Sequence, residues 1–398
     1  MLIPKYWAHY KQRFKSPATA DNLPKQATIK RYGWSDSSTD DALHHAKARV
    51  MAAHQRWLAG ADIVRRERKD DYNESSGIPI REQIVFEQTF TTDHLASTQL
   101  IVTRNGYGAQ VANVDNIAII DVDNAELLPH LYPDEYQRQG FMGLISITNT
   151  ENQPQSSTTK RQIGGFIIVS VLLASIIALQ GWSWLWLIVV MIGATAFLWQ
   201  KASKQEQAHR QKSADNLASL LPFMSDLIQK RLVHYPNESF RLYETPAGFR
   251  IIATHATIFP SDEVVNEWFA YFYADTNYVR LCQLQQCFRA RLTAKPWRMR
   301  EVTEQNILAK DIPTKDFWSF PNQDIDAEEN EPRHIELAAR EQWLADYDTF
   351  AKGYRACRYI ASFDGADVSN SQPVPAAIDE FVKWHNGACQ VDRDLPMA

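Results

Sequence analysis

Three stretches of this chain bring chemistry-bearing side chains close together. The first is Asp121-Val122-Asp123, at the end of the apolar run Ile117–Ile120. Residues two apart on a strand face the same side, so both carboxylates would point together. Clustered carboxylates repel one another and are most easily tolerated when a divalent cation neutralises them. Phosphoryl-transfer enzymes use that arrangement with one or two Mg2+ or Mn2+ ions. The plainer alternative is that one aspartate caps the following turn while the other is solvated.

The second stretch is Thr245–His255, TPAGFRIIATH. Pro246 and Gly248 suit a hairpin turn. On the return strand Arg250, Ile252 and Thr254 share one face, expected to be open. Arg250 there is suited to bidentate phosphate binding, and His255 at the strand end is a further anion-binding candidate. A hydrogen-bonded strand-end histidine is the alternative for His255.

The third is Arg280–Arg300. Phe288, Ala290 and Leu292 alternate with Arg289 and Arg291, which predicts a half-buried strand with two guanidiniums on one face. With Arg280, Lys295 and Arg298 added, and no acid between Arg280 and Arg300, the segment reads as an anion patch. It is a local exception in a chain of net charge −5. Nucleotide phosphates, nucleic acid or anionic lipid headgroups are its candidate partners, besides an unidentified protein. The alternative is a solvated basic face pairing with the acidic Asp324–Glu331 segment. No Walker loop, HExxH, GxSxG or dinucleotide GxGxxG fingerprint is present. The four cysteines, Cys282, Cys287, Cys357 and Cys389, all lie in the second half. Cys282 and Cys287 have no second pair at zinc-ligand spacing, so buried reduced thiols are expected.

The elements that must position these residues read as α+β. A helix is predicted over Ser35–Leu58, with strands at Ile80–Glu87 and Gln99–Thr103, an Asn105-Gly106 hairpin turn and return strands at Ala109–Asn113 and Asn116–Asp123. Residues 1–34, mixed basic and aromatic, read as an arm lying at a membrane interface or docking on its own domain. Later come an amphipathic helix Asp215–Leu232, a hairpin Phe240–Thr254, a helix Ser261–Tyr273 and a helical segment Arg333–Tyr359. The short strands are expected to join in one mixed sheet with flanking helices.

Between the two halves lies Ile163–Trp199, without a charged residue. A bilayer core of about 30 Å takes roughly 20 apolar residues in a helix, so the run suits two short spans. Trp182, Trp184 and Trp186 mark an interface near Gly181. The expectation is a transmembrane helical hairpin, with arms Gly164–Leu179 and Trp184–Trp199. Lys160, Arg161, Lys201, Lys204, Arg210 and Lys212 on its flanks place both termini in the cytoplasm by the positive-inside rule. The domain organisation is then an α+β half at 1–150, a polar linker at 151–162, the hairpin at 163–199 and a second α+β half at 200–398. The two halves are able to join in one unit. The lipid bilayer is the implied partner.

The segments MLIPKYWA, RYGWSD, PIREQI, TRNGYGA, DVD, YETPAGFRIIATH, YVRLCQLQQCFRARLTAKPWR and YRACR resemble an uncharacterised family of bacterial two-span membrane proteins. The order of motifs is more distantly similar to the archaeo-eukaryotic primase and primase-polymerase core. In that comparison Asp121 and Asp123 match the Asp-x-Asp strand, Thr245–Arg250 resembles the phosphate-binding hairpin, and Asp275 with Tyr278 and Arg280 resembles the third element. Arg250 stands where those enzymes place a histidine. The resemblance implies a metal held by Asp121, Asp123 and Asp275. The combined expectation is an integral inner-membrane protein whose cytoplasmic domain binds a phosphate-containing ligand through its basic strand. The alternative is a membrane-tethered, metal-dependent nucleotidyl or phosphoryl transferase.

Overall fold

The computed structural model describes residues 1–15, 26–67, 79–91, 97–136, 184–299, 330–368 and 374–398. Met1–Val122 and Leu227–Ala398 form one compact unit, and Asp123–Asp226 a second.

In the first unit, β1 (Tyr6–Lys15) and β2 (Gln26–Ser35) pair antiparallel. The helix α1 (Thr39–Leu58) covers them, capped by the Ser38 side chain accepting from the Asp41 amide, with Asp40 and Asp41 in its first turn. Phe14, Ala27, Ile29, Val50 and Ala53 form the core between them. The N-terminal arm is therefore a hairpin on its own domain. Close approach depends on Gly33, because a Cβ there would lie 2.2 Å from both the Ala42 oxygen and the Ala46 nitrogen. Gly33→Ala is expected to cost about 1–3 kcal/mol through overpacking, read as a lower urea midpoint.

Two four-stranded sheets complete this unit. One has the order β3 (Gln83–Phe90), β4 (Thr98–Arg104), β5 (Gln110–Val114), β9 (Phe288–Arg291), each neighbouring pair antiparallel. The other has the order β10 (Arg358–Asp364), β7 (Ser239–Thr245), β8 (Gly248–Ala253), β6 (Ile119–Asp123). The expected single mixed sheet is thus three separate sheets, two of them built from both ends of the chain. Every residue of β8 is buried, and the helix Ala376–Cys389 covers the face that carries Arg250. The open face anticipated for Arg250 does not exist.

The second unit holds α2 (Asn124–Leu131), the single turn α3 (Pro133–Tyr136) and most of α4 (Trp184–His234). Tyr132 and Ser219 hydroxyls meet at 2.6 Å, and Asn216 donates to Glu135 at 2.9 Å. Back in the first unit, α5 (Glu263–Tyr271), α6 (Thr276–Gln285), α7 (Asn330–Ala351) and α8 (Ala376–Cys389) complete the described elements.

The expected transmembrane hairpin does not hold. Among the described residues no helix is long and apolar enough to cross a membrane. The proposed second arm, Trp184–Trp199, is the opening of a 51-residue helix that runs on through Lys201, Lys204 and Arg210. Its apolar part amounts to roughly 24 Å at 1.5 Å per residue, short of a bilayer core of about 30 Å. With the hairpin go the integral inner-membrane assignment, the multi-pass placement with both termini cytoplasmic, and the membrane-tethered transferase. The linker 151–162, the first arm, the turn before Trp184 and the acidic segment up to Glu329 lie outside the described residues.

Candidate metal centre

The expected site residues divide: Asp121, Asp275 and Arg250 lie beside one another, while Asp123 and Arg289 take other partners. Asp123 caps α2, its carboxylate accepting from the Ala125 amide at 3.4 Å. Asp275 caps α6 through the Tyr278 amide at 2.7 Å. Its own amide donates to the Asp121 carbonyl at 3.0 Å. The Asp121 carboxylate points at Arg250, with Oδ1 3.7 Å from Nε. Burial of Oδ1 raises the Asp121 pKa, and the Arg250, Arg291 and Lys295 charges oppose that rise.

The basic strand divides. Arg289 turns inward and places Nη2 3.0 and 2.9 Å from the two oxygens of Glu82, both side chains being buried. Arg291 is half-buried, and its carbonyl accepts from Arg250. Arg280 is exposed on α6, the Lys295 ammonium lies 5.6 Å from the Trp297 ring centre, and Arg298 sits in the short turn Pro296–Arg298.

His255 is the hydrogen-bonded strand-end histidine. Its Nδ1 lies 3.1 Å from the Ser239 amide, and its ring packs on Phe240 and Trp268. Burial lowers its pKa. The unfolded chain protonates a histidine near pH 6.5, while folded His255 resists until lower pH. The unfolded state therefore binds more protons as pH falls through that range, and stability drops on acidification. Urea midpoints between about pH 7.5 and about pH 5.5 should fall less in His255→Gln than in wild type.

A different set of residues converges. His385 and Cys389 are four apart on α8, so they share a helix face. Cys357 sits just before β10, held there because the Ala356 amide donates to the Cys389 carbonyl at 3.1 Å. The Cys357 sulfur, a His385 ring nitrogen and the Cys389 sulfur all lie within 4.8 Å of one another, and all three residues are buried. These three residues could hold a metal ion. They are the metal-capable group among the described residues.

Arg250 enters the same cluster from β8. Its Nη1 lies 3.0 Å from His385 Nε2, 3.1 Å from the Arg291 carbonyl and 3.9 Å from the Cys389 sulfur. Arginine only donates, so His385 Nε2 accepts. The histidine proton then sits on Nδ1, 3.3 Å from the Asn386 side-chain oxygen. Tyr243 Oη donates to that same oxygen at 3.0 Å, and its ring meets His385 edge-on. Tyr243 faces Arg250 across the β7–β8 ladder, which aligns both with α8.

The two thiols are inequivalent. A hydrogen bond from Cys389 holds the Cys357 thiol well below its ordinary pKa despite burial, with His385 and Arg250 adding to the effect. Burial pushes Cys389 up. Burial opposes the charge on Arg250, but Cys357 and Asp121 outweigh it and raise its pKa. The centre thus sets a buried guanidinium beside two thiols and the Asp121 carboxyl group.

Cys282 and Cys287 lie outside this cluster. Cys287 packs with Ile3, Ile80 and Ile101, and burial raises its thiol to about 11. The His-x-x-x-Cys spacing of His385 and Cys389 was the available local signal for the real cluster. The chain matches no protein-family model, no curated protein and no solved structure. Its functional reading therefore rests on this geometry.

Proposed function

We propose that this is a zinc-binding protein whose Cys357–His385–Cys389 centre fixes the C-terminal helix to the β core. The observation that carries it is the convergence of two thiols and one imidazole within 4.8 Å in the buried core. Soft thiolate and imidazole donors favour Zn2+, whereas Mg2+ and Mn2+ prefer oxygen donors. The 3.4 Å separation of Cys389 sulfur and His385 Nε2 matches the edge of a zinc tetrahedron, about 3.5 Å for Zn–S near 2.3 Å and Zn–N near 2.05 Å. Two thiolates neutralise Zn2+, so the loaded centre adds no net charge to the core. Asn386 supports the required tautomer, a second-layer role common to zinc histidines.

All three donors are buried, and with three protein ligands the fourth position of a tetrahedral zinc would fall to water or another donor. The ion would join the residue before edge strand β10 to two positions on α8, closing a contact that now depends on backbone hydrogen bonds such as Ala356 to Cys389. Elemental analysis of protein purified from zinc-supplemented cultures tests this. One zinc ion per chain is expected. Zinc no higher than in the Cys357→Ser/Cys389→Ser variant would overturn the proposal.

A further inference from the structure

The lone pair of His385 Nε2 serves one partner at a time. In the arrangement described it accepts from Arg250 Nη1 at 3.0 Å. A metal ligated by that nitrogen must take the same lone pair, and it would meet a guanidinium at close range in a low-dielectric core. Arginine and metal therefore compete for the centre, and the arginine needs somewhere to go.

The structure provides that destination. Arg250 Nε and Asp121 Oδ1 face one another at 3.7 Å, too long for a hydrogen bond. Both atoms are buried, and neither has a hydrogen-bond partner among the described residues. A buried donor and a buried acceptor left unsatisfied side by side are rare. A shift of about 1 Å would close them into a charge-assisted bond of about 2.8 Å. The carboxylate is half-exposed on its other side, so it has room to meet the guanidinium.

We infer that Arg250 is a displaceable competitor for the metal at Cys357, His385 and Cys389, and that Asp121 receives it when the metal binds. This inference rests on the zinc reading and adds a regulatory device to it. Metal occupancy in the core is coupled to the state of Asp121 on the edge strand β6. By linkage the coupling runs both ways: whatever engages the Asp121 carboxylate weakens metal binding, and metal binding engages Asp121.

The test is zinc affinity, measured by competition with a chromophoric chelator on the full chain. Four proteins are compared: wild type, Asp121→Asn, Arg250→Met and the double variant. Asp121→Asn removes the charged acceptor without touching a ligand, and it should weaken zinc binding about 10- to 100-fold, the range for a charge-assisted bond. In the Arg250→Met background the same substitution should change nothing. Equal affinity for wild type and Asp121→Asn would overturn the inference while leaving the zinc centre standing. An Asp121→Asn effect that persists without Arg250 would also overturn it, because Asp121 would then be acting on the metal by another route. Absence of zinc binding in wild type would remove the zinc reading and the inference together. Should Arg250→Met fail to fold, the wild-type against Asp121→Asn comparison decides, supported by the Arg250 Nε–H resonance. That resonance should shift on zinc addition in wild type and stay in place in Asp121→Asn.

Discussion

Arg289→Ala should destabilise the protein by about 3–5 kcal/mol, the usual cost of leaving one member of a buried ion pair behind. Arg289 and Glu82 are 5% and 4% exposed, and Nη2 of Arg289 reaches both Glu82 oxygens. The Thr103 hydroxyl adds a hydrogen bond to Glu82, and Gln285 receives one from Arg289 at 3.4 Å. Removing the guanidinium leaves the buried Glu82 carboxylate without its Arg289 counter-charge. Urea unfolding should show the loss. Arg280→Ala, on the exposed side of α6, should stay within about 0.5 kcal/mol. The pair Arg289→Met/Glu82→Leu should recover much of the loss, since a buried ion pair is often replaceable by packed apolar groups. A cost below about 1 kcal/mol for Arg289→Ala would show that Glu82 keeps its solvation.

The second large effect concerns zinc. Cys357→Ser, Cys389→Ser and His385→Ala should each weaken zinc binding by at least about a hundredfold. Structural zinc binding is worth about 10–16 kcal/mol in all, so one ligand in a small set carries several. Cys282→Ser and Cys287→Ser should leave affinity unchanged, because those thiols are buried away from the centre. Zinc should also raise the unfolding temperature of wild type in a concentration-dependent way, and fail to do so in the ligand variants. Equal zinc affinity in all five variants would place the metal elsewhere.

Local signals in the sequence predicted local structure well. The Asn105-Gly106 turn, the Thr245–Gly248 turn and the alternation around Arg289 each encode a short-range decision. β4, β5, β7, β8 and β9 lie close to where those signals put them. β1 and β2 were obscured because their apolar positions are interleaved with Lys, Arg and Tyr in a strand pair covered on one side. β10 was obscured because Arg358–Asp364 follows directly on a helical pattern and sits at a sheet edge with few buried residues. The charge-free run Ile163–Trp199 misled because the apolar opening of α4, Trp184–Trp199, is too short to cross a bilayer, although its continuation into the basic Lys201–Lys212 stretch was legible.

The site was harder to read for a different reason. Arg250 reads as a cation on a strand, but the face of β8 that carries it is covered by α8, which comes from a distant part of the chain. Its partners are equally remote. Cys357 and Cys389 meet through tertiary folding, and no short spacing announces them. Only the four-residue step from His385 to Cys389 is local, and by itself such a step is common on helices. Arg289 shows the converse. A guanidinium on an alternating strand looks like a docking residue until the fold brings Glu82, just before β3, against it.

The central claim is that Cys357, His385 and Cys389 together hold a thiophilic metal. Titration of the reduced, metal-free protein with Co2+ tests it most directly, because cobalt reports its own ligands. The account predicts saturation at one equivalent, with near-ultraviolet thiolate-to-cobalt charge transfer and the visible bands of a tetrahedral ion. Zinc should erase both, and Cys357→Ser or Cys389→Ser should reduce the charge transfer. A spectrum without thiolate charge transfer, or one unchanged by those substitutions, would contradict it.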